Sequence, residues 1–388
     1  MKLFALILLL VGVAFCEQEF VDGEYFLRLN DEVNENVFVH RIKTNYKLDV
    51  LKSYNIGNLR LLAVRGEESD VIRASKLSEV KYWDRNMIFH TQQCVEQPNA
   101  GTWGLDRIDQ REPMSYTNPT SPDSTYVYGE DDGADVYAYV VDSGIDVNHG
   151  DFAGRAIWGM TAGELTPGVD ENSHGTHCAG TVGSNSYGVA KEATLVAVKV
   201  LNALGSGTTR EIVEGLQWVL TSHDSRPNAK SVVNLSLGSK GINLPMEDAV
   251  RNLIEGGVTV CIAAGNSNED ACRHTPSRVA EAITVGASDI GDVSASFTNY
   301  GTCLDLFAPG VGILSTVPGD ATDVYDGTSM ATPHVAGVVA RYLSSQSSVP
   351  SPSAVRDYIV NSATPDVLTF RPGHEASPNL LLYASCPM

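Results

Sequence analysis

Apart from Leu3 to Phe15, the 388-residue sequence has no apolar run approaching the roughly 20 residues that a membrane-spanning helix needs, and that one run is too short. No spanning helix is expected. Positive charge is scarce too: 27 Lys and Arg stand against 47 Asp and Glu, a formal charge of −20. Residues 98–388 carry −18 of it. Such acidity repels phosphate backbones and anionic lipid, which argues against nucleic acid or membrane as partners. It favours solubility and cation binding, although a cluster such as Glu130-Asp131-Asp132 reads as a solvated face. Internal repeats are lacking as well.

What is present divides the chain in three. Met1-Lys2 and the run to Phe15, with small Ala14 and Cys16 ahead of a cleavage point, form a secretory signal over residues 1–16, directing the chain outside the cell or into a lysosomal or other vesicular lumen. Residues 17–97 contain the alternating segments Tyr25–Leu29 and Leu59–Val64, which predict strands of a small α+β unit. The polar stretch His90–Gln97 reads as an exposed linker. Residues 98–388 are long enough for one large core and no second domain. There, buried strands alternate with helical patterns such as Glu211–Leu220. That order predicts an α/β fold, a doubly wound and mostly parallel sheet with helices on both faces.

Four segments of this region carry chemistry. Gly327-Thr328-Ser329-Met330-Ala331 sets a hydroxyl between a turn and an apolar helical stretch, where free N–H groups and the dipole stabilise negative charge. The strand Val136–Val141 ends at Asp142, and His174 lies in a polar turn, Asn172-Ser173-His174-Gly175-Thr176-His177-Cys178, that leads into small residues. A second strand, from Val258, delivers Ala263-Ala264-Gly265-Asn266. Singly, these are an N-cap serine, a turn aspartate, a structural histidine and a capping amide. Together they supply a nucleophile, a base, an orienting carboxylate and a hydrogen-bond donor.

In motif and in the chain order Asp, His, Ser, the region from Trp103 onward resembles the subtilisin-type serine proteases, specifically their proteinase K-like branch. The resemblance implies a serine endopeptidase in which Asp142 orients the imidazole, His174 acts as base then acid, Ser329 attacks, and Asn266 binds the oxyanion. It implies that residues 17–97 are an inhibitory propeptide that assists folding, removed by self-cleavage between His90 and Pro98. Substrate would pair by strand addition with two edges, Gly205-Ser206-Gly207 and Ser236-Leu237-Gly238. Ala263, Ala264 and Gly265 with Leu237 would wall a neutral pocket, and since no carboxylate is placed to select Lys or Arg, cleavage after apolar or aromatic residues is expected. Protein and peptide substrates, the chain's own propeptide and a monomeric state complete the expectation.

The same resemblance implies a structural calcium on Asp305 and the carbonyls of Ala280 and Ala282, and a disulfide between Cys272 and Cys303. With Cys16 in the signal and Cys94 in the propeptide, five cysteines remain, which cannot all pair internally. Cys178 matches a buried free thiol, Cys261 reads as a core thiol, and Cys386 has no assignable partner. A zinc site on His174, His177 and Cys178 is a weaker alternative. The sequon Asn234-Leu235-Ser236 lies in a strand and is expected to stay unmodified. Two rivals to the protease remain. A binding protein of the same fold would lack turnover, and an α/β-hydrolase esterase would need a Gly-x-Ser-x-Gly setting, where Ser329 is followed by Met330-Ala331.

Overall fold

The computed structural model describes residues 20–87, 94–118, 124–129 and 132–386, so the expected signal segment lies outside the described residues. Contacts divide the chain into two units, Met1–Thr91 and Gln92–Met388.

In the smaller unit, Phe20–Leu29 lies between Leu59–Arg65 and Val80–Met87 in a four-stranded antiparallel sheet, with Asp49–Ile56 at the edge. The two expected strands are therefore neighbours, Leu27 opposite Leu62. Leu27, Leu29, Leu62 and Val64 pack beneath the helix Glu35–Tyr46, which contributes Phe38 and Ile42 at the four-residue spacing of one helix face. The unit is α+β, as its alternation suggested.

The larger unit is built on a nine-stranded sheet. Its central strands, in spatial order, are Leu306–Pro309, Ile283–Ser288, Thr259–Ala263, Lys230–Leu235, Val136–Asp142, Thr194–Lys199 and Ala156–Thr161, all parallel. Leu380–Leu381 and Thr364–Pro365 close one edge, the last strand antiparallel. Apart from the edge strands, nearly every residue is buried because each face has its own core. Val136, Ala138 and Val140 join one core with Cys178, Ala179 and Val335, whereas Tyr139 and Val141 join the other with Ile212, Leu216 and Val250. The period-two alternation of a strand thus feeds two helical layers.

Local signals explain the helices. Thr209–Asp224 opens on a capping box between Thr208 and Glu211 and buries Ile212, Gly215, Leu216 and Val219, one face at spacings of three and four. Ser351 caps Pro352–Ser362 on Ala354 N–H, ending the Ser/Pro-rich connection after Thr328–Ser345.

The structure corrects the placement of Cys94. Cys94–Pro98 pairs antiparallel with Thr125–Gly129, Cys94 opposite Gly129, and Cys94 is disulfide-bonded to Cys386 across 292 residues of sequence. These residues belong to the larger unit, whose boundary falls at Thr91/Gln92 instead of after Gln97. A short polar edge strand with alternating exposure looks like a linker until its partner is in place. Cys272–Cys303 is the second disulfide, and Cys178 and Cys261 are free and buried. Asp132, expected on a solvated face, instead accepts from Gly129 N–H at 2.7 Å and pairs with the buried Arg341. Among the described residues, no helix is long and apolar enough to cross a membrane.

Candidate active site

Asp142, His174, Asn266 and Ser329 arrive from four elements at the carboxyl-end edge of the parallel sheet, the edge where open α/β folds build their sites. Asp142 ends its strand and is fully buried. Its carboxylate accepts from Ser143 N–H at 2.7 Å, and both its oxygens lie 2.9 Å from Nδ1 of His174, the first residue of the helix His174–Gly183. Gly175 lets that helix come so close, since a Cβ there would collide with the Gly144 carbonyl.

Burial by itself disfavours the charged imidazole. The Asp142 carboxylate, as a neighbouring charge and as a hydrogen-bond partner, and the Cys178 sulfur together overcome it, and the His174 pKa stands well above the ordinary value of 6.5. The Cys178 sulfur lies 3.9 Å from Nδ1, and burial raises that thiol's own pKa. With Nδ1 turned to Asp142, Nε2 is the ring nitrogen left for an incoming proton.

Ser329 is the second residue of Thr328–Ser345. A proline four residues on, Pro333, lacks the N–H that would bond the Ser329 carbonyl within the helix. That carbonyl instead accepts from Ser236 Oγ at 3.0 Å and Cys178 Sγ at 3.4 Å, tying the serine to the strand end and to the histidine's helix. The Ser329 hydroxyl donates to the Ser236 carbonyl at 3.3 Å. Among the described residues it makes no hydrogen bond with His174, a separation common in resting sites.

Asn266 is exposed at the cleft. Its Oδ1 accepts from Thr328 N–H at 2.9 Å and from Thr328 Oγ at 2.8 Å, and Oγ in turn accepts from Gly265 N–H at 3.1 Å. Two donors on Oδ1 fix the flip of the amide and leave its NH₂ without a protein partner among the described residues. Thr328 was not singled out in the sequence; its position beside Ser329 was the available signal.

These groups share a cleft of about 410 Å³ lined by His174, Ser236, Leu237, Gly238, Ala263, Ala264, Gly265, Asn266, Thr328 and Ser329. Gly205 lines it as well, but Ser206 and Gly207 do not. They belong to an exposed turn in which the Ser206 carbonyl accepts from Asn202 N–H, and Leu201 and Leu204 line the cleft in their place. Lys240, His274 and Thr275 line it too, brought in by pairing of Ser239–Lys240 with His274–Thr275. So short a ladder carries no periodicity to read. Glu269 bridges Lys240 at 2.6 Å and His274 at 3.1 Å, and no carboxylate lines the cleft among the described residues.

The zinc alternative is not brought together. His177 turns Nε2 to the Ile313 and Asp323 carbonyls, each at 3.1 Å, and stacks on Tyr325; burial lowers its pKa to about 4. The thiol of Cys178 clusters with Asp142 and His174, which already bond one another. Asn234 is buried with its amide on Ser236 Oγ, leaving no room for a glycan.

At Asp305, Oδ1 bonds Arg356 at 2.5 Å and Oδ2 accepts from Thr284 N–H at 2.8 Å. A carboxylate offers about four lone-pair directions, so two remain. Burial raises its pKa against the lowering effects of Thr284 N–H and Arg356, leaving the carboxylate under-compensated. That donor chemistry fits an oxygen-seeking cation.

The Subtilase family model matches residues 133–378. A subtilisin-like serine protease of Rhodotorula mucilaginosa is 40% identical over 332 residues, 81% of this chain and 95% of that protein. An extracellular serine proteinase of a Thermus strain is 45% identical over 330 residues, 84% of this chain and 75% of its own length. Cerevisin of Saccharomyces cerevisiae is 39% identical over 381 residues; the alignment covers 93% of this chain but only 58% of cerevisin. Among solved structures, a cold-adapted subtilisin-like serine proteinase superposes with a TM-score of 0.65 at 40% identity, covering 73% of this chain and 97% of its own.

Two predictions come from this geometry. Asn266→Ala is expected to lower kcat by about 10²–10³, the usual range for loss of one such donor, with KM nearly unchanged; steady-state kinetics on a chromogenic peptide will show it. An imidazolium cannot accept a proton, so turnover should rise with pH along a limb whose midpoint lies above 6.5. A midpoint at or below 6.5 in the pH profile of kcat/KM would contradict the raised His174 pKa.

Proposed function

The chain belongs to the subtilase family and is a subtilisin-like serine endopeptidase, and from that premise we propose that it cleaves peptide bonds through Asp142, His174 and Ser329. The observation that carries this assignment is the buried Asp142 carboxylate held 2.9 Å from Nδ1 of a histidine that shares one cleft with Ser329. As the Ser329 hydroxyl swings from the Ser236 carbonyl toward Nε2, the imidazole takes its proton and Oγ bonds the scissile carbonyl carbon. Asp142 stabilises the imidazolium that results. The oxyanion accepts from the Asn266 NH₂ and from Ser329 N–H, which the helix start leaves free. His174 then protonates the leaving amine. Water, deprotonated by the same ring, releases the acyl group.

Leu237, Ala263 and Ala264 give the cleft an apolar wall, and among the described residues no carboxylate lines it to favour a cationic residue. Apolar or aromatic residues before the cleaved bond suit it best. Ser236–Gly238 on one side and Leu204–Gly205 on the other are the backbone edges to which an extended substrate would pair.

Residues 17–91 act as a propeptide in this proposal, so the precursor is a self-processing zymogen. The cut is placed upstream of Cys94, because a cut after it would leave the released piece disulfide-bonded to Cys386. Two disulfides suit an oxidising compartment, and secretion or delivery to a vesicular lumen fits them and the apolar N-terminus. Asp305 with the carbonyls of Ala280 and Ala282 would hold a calcium ion, a structural role with no part in the reaction.

Incubating the purified precursor tests the central reading. The wild type should release its N-terminal segment under non-reducing conditions and yield a mature chain that retains Cys94 on N-terminal sequencing, while Ser329→Ala stays whole. A wild type that never processes would favour a non-catalytic binding role. Excess chelator should lower the melting temperature of the mature enzyme by on the order of 5 °C; an unchanged melting temperature would remove the calcium assignment.

A further inference from the structure

We propose that Asp170 is a positioning residue for the reaction, a buried carboxylate that sets the distance and orientation between Asp142 and His174. The proposal rests on the roles given to those two residues above.

Asp170 is 5% exposed and forms no ion pair among the described residues. A buried carboxylate without a cation is costly unless hydrogen bonds saturate it. Here five do. Oδ1 accepts from Ser143 Oγ at 2.8 Å and from the N–H groups of Asn172 and Ser173, each at 3.0 Å. Oδ2 accepts from Thr176 N–H at 2.9 Å and Thr176 Oγ at 2.6 Å.

The donors come from both halves of the catalytic pair. Ser143 adjoins Asp142 and donates its own N–H to that carboxylate; its Oγ also accepts from Gly175 N–H at 2.9 Å, and its carbonyl is held by the buried Lys199 at 2.7 Å. Asn172, Ser173 and Thr176 flank His174. The Thr176 hydroxyl accepts from Asp146 N–H at 2.9 Å, a second tie back to the loop after Asp142.

Local backbone geometry makes the clamp necessary. Ser173 occupies the helix N-cap position yet makes no side-chain cap, and its φ of 81° lies in the left-handed region that L-residues rarely adopt. Asp170 supplies the missing acceptor, at the helix end where negative charge is favoured. It thereby holds the turn that presents His174 to Asp142.

Asp170→Asn replaces one acceptor oxygen with an NH₂ that must face N–H and O–H donors, with little change in volume. Kinetics on the self-processed enzyme should show kcat lowered 10- to 100-fold and KM within twofold. The acid limb of kcat/KM should also move toward lower pH, because a loosened Asp142 no longer raises the His174 pKa as far. Ser143→Ala, which removes only the bridge from Asp170 to Gly175, should show the same pattern more weakly, and it decides the matter if Asp170→Asn fails to fold. A lower melting temperature with kcat and the pH profile unchanged would make Asp170 a mere structural cap and overturn the proposal. The outcome is separable from the proposed activity, which fails only if the wild type is inactive or Ser329→Ala remains active.

Discussion

The site depends on keeping one carboxylate, Asp142, charged and out of water. Full burial at the end of a central strand makes that ion expensive, and it is compensated by Ser143 N–H and by the imidazole at 2.9 Å. The same contact raises the pKa of His174, so the cost of burial at one residue becomes basicity at its neighbour. The surrounding architecture keeps those two groups together. Parallel strands bring the carboxylate to the sheet edge, and glycine at 175 lets the histidine's helix approach.

Similar economy governs the nucleophile. Pro333 is unfavourable in the interior of a helix, yet it frees the Ser329 carbonyl for Ser236 and Cys178. Asn266 shows the complementary device: Thr328 consumes its carbonyl and so leaves its donors directed at the cleft. Each reacting group is thus oriented by a hydrogen-bonded neighbour. Preorganised donors need no rearrangement as charge develops.

Much of the fold was legible because burial imposes a period. Strands packed on both faces, such as Val136–Asp142, read as unbroken apolar runs; helices such as Thr209–Asp224 announced themselves by one apolar face. Motif order pointed to Asp142, His174, Asn266 and Ser329, and the structure brings the last three into one cleft with Asp142 buried against His174. Gly205 lines the cleft, whereas Ser206 and Gly207 lie in the exposed turn beside it, since neighbours in sequence share a turn without facing the same way. Cys94 looked like part of a linker because a five-residue edge strand has too few positions to show alternation.

The sequence by itself determined the parallel sheet with helices on both faces, the position of each reacting side chain at an element boundary, and the Cys272–Cys303 pair through the family it resembles. Tertiary structure alone decided that Cys94 joins Cys386, that Lys240 and His274 border the cleft, and that Asp170 gathers donors from both sides of the Asp142–His174 contact. The difference is physical. Secondary structure is fixed by periodic burial and by caps a few residues apart, which leave a local pattern, whereas a disulfide across 292 residues or a buried carboxylate shared by two loops leaves none.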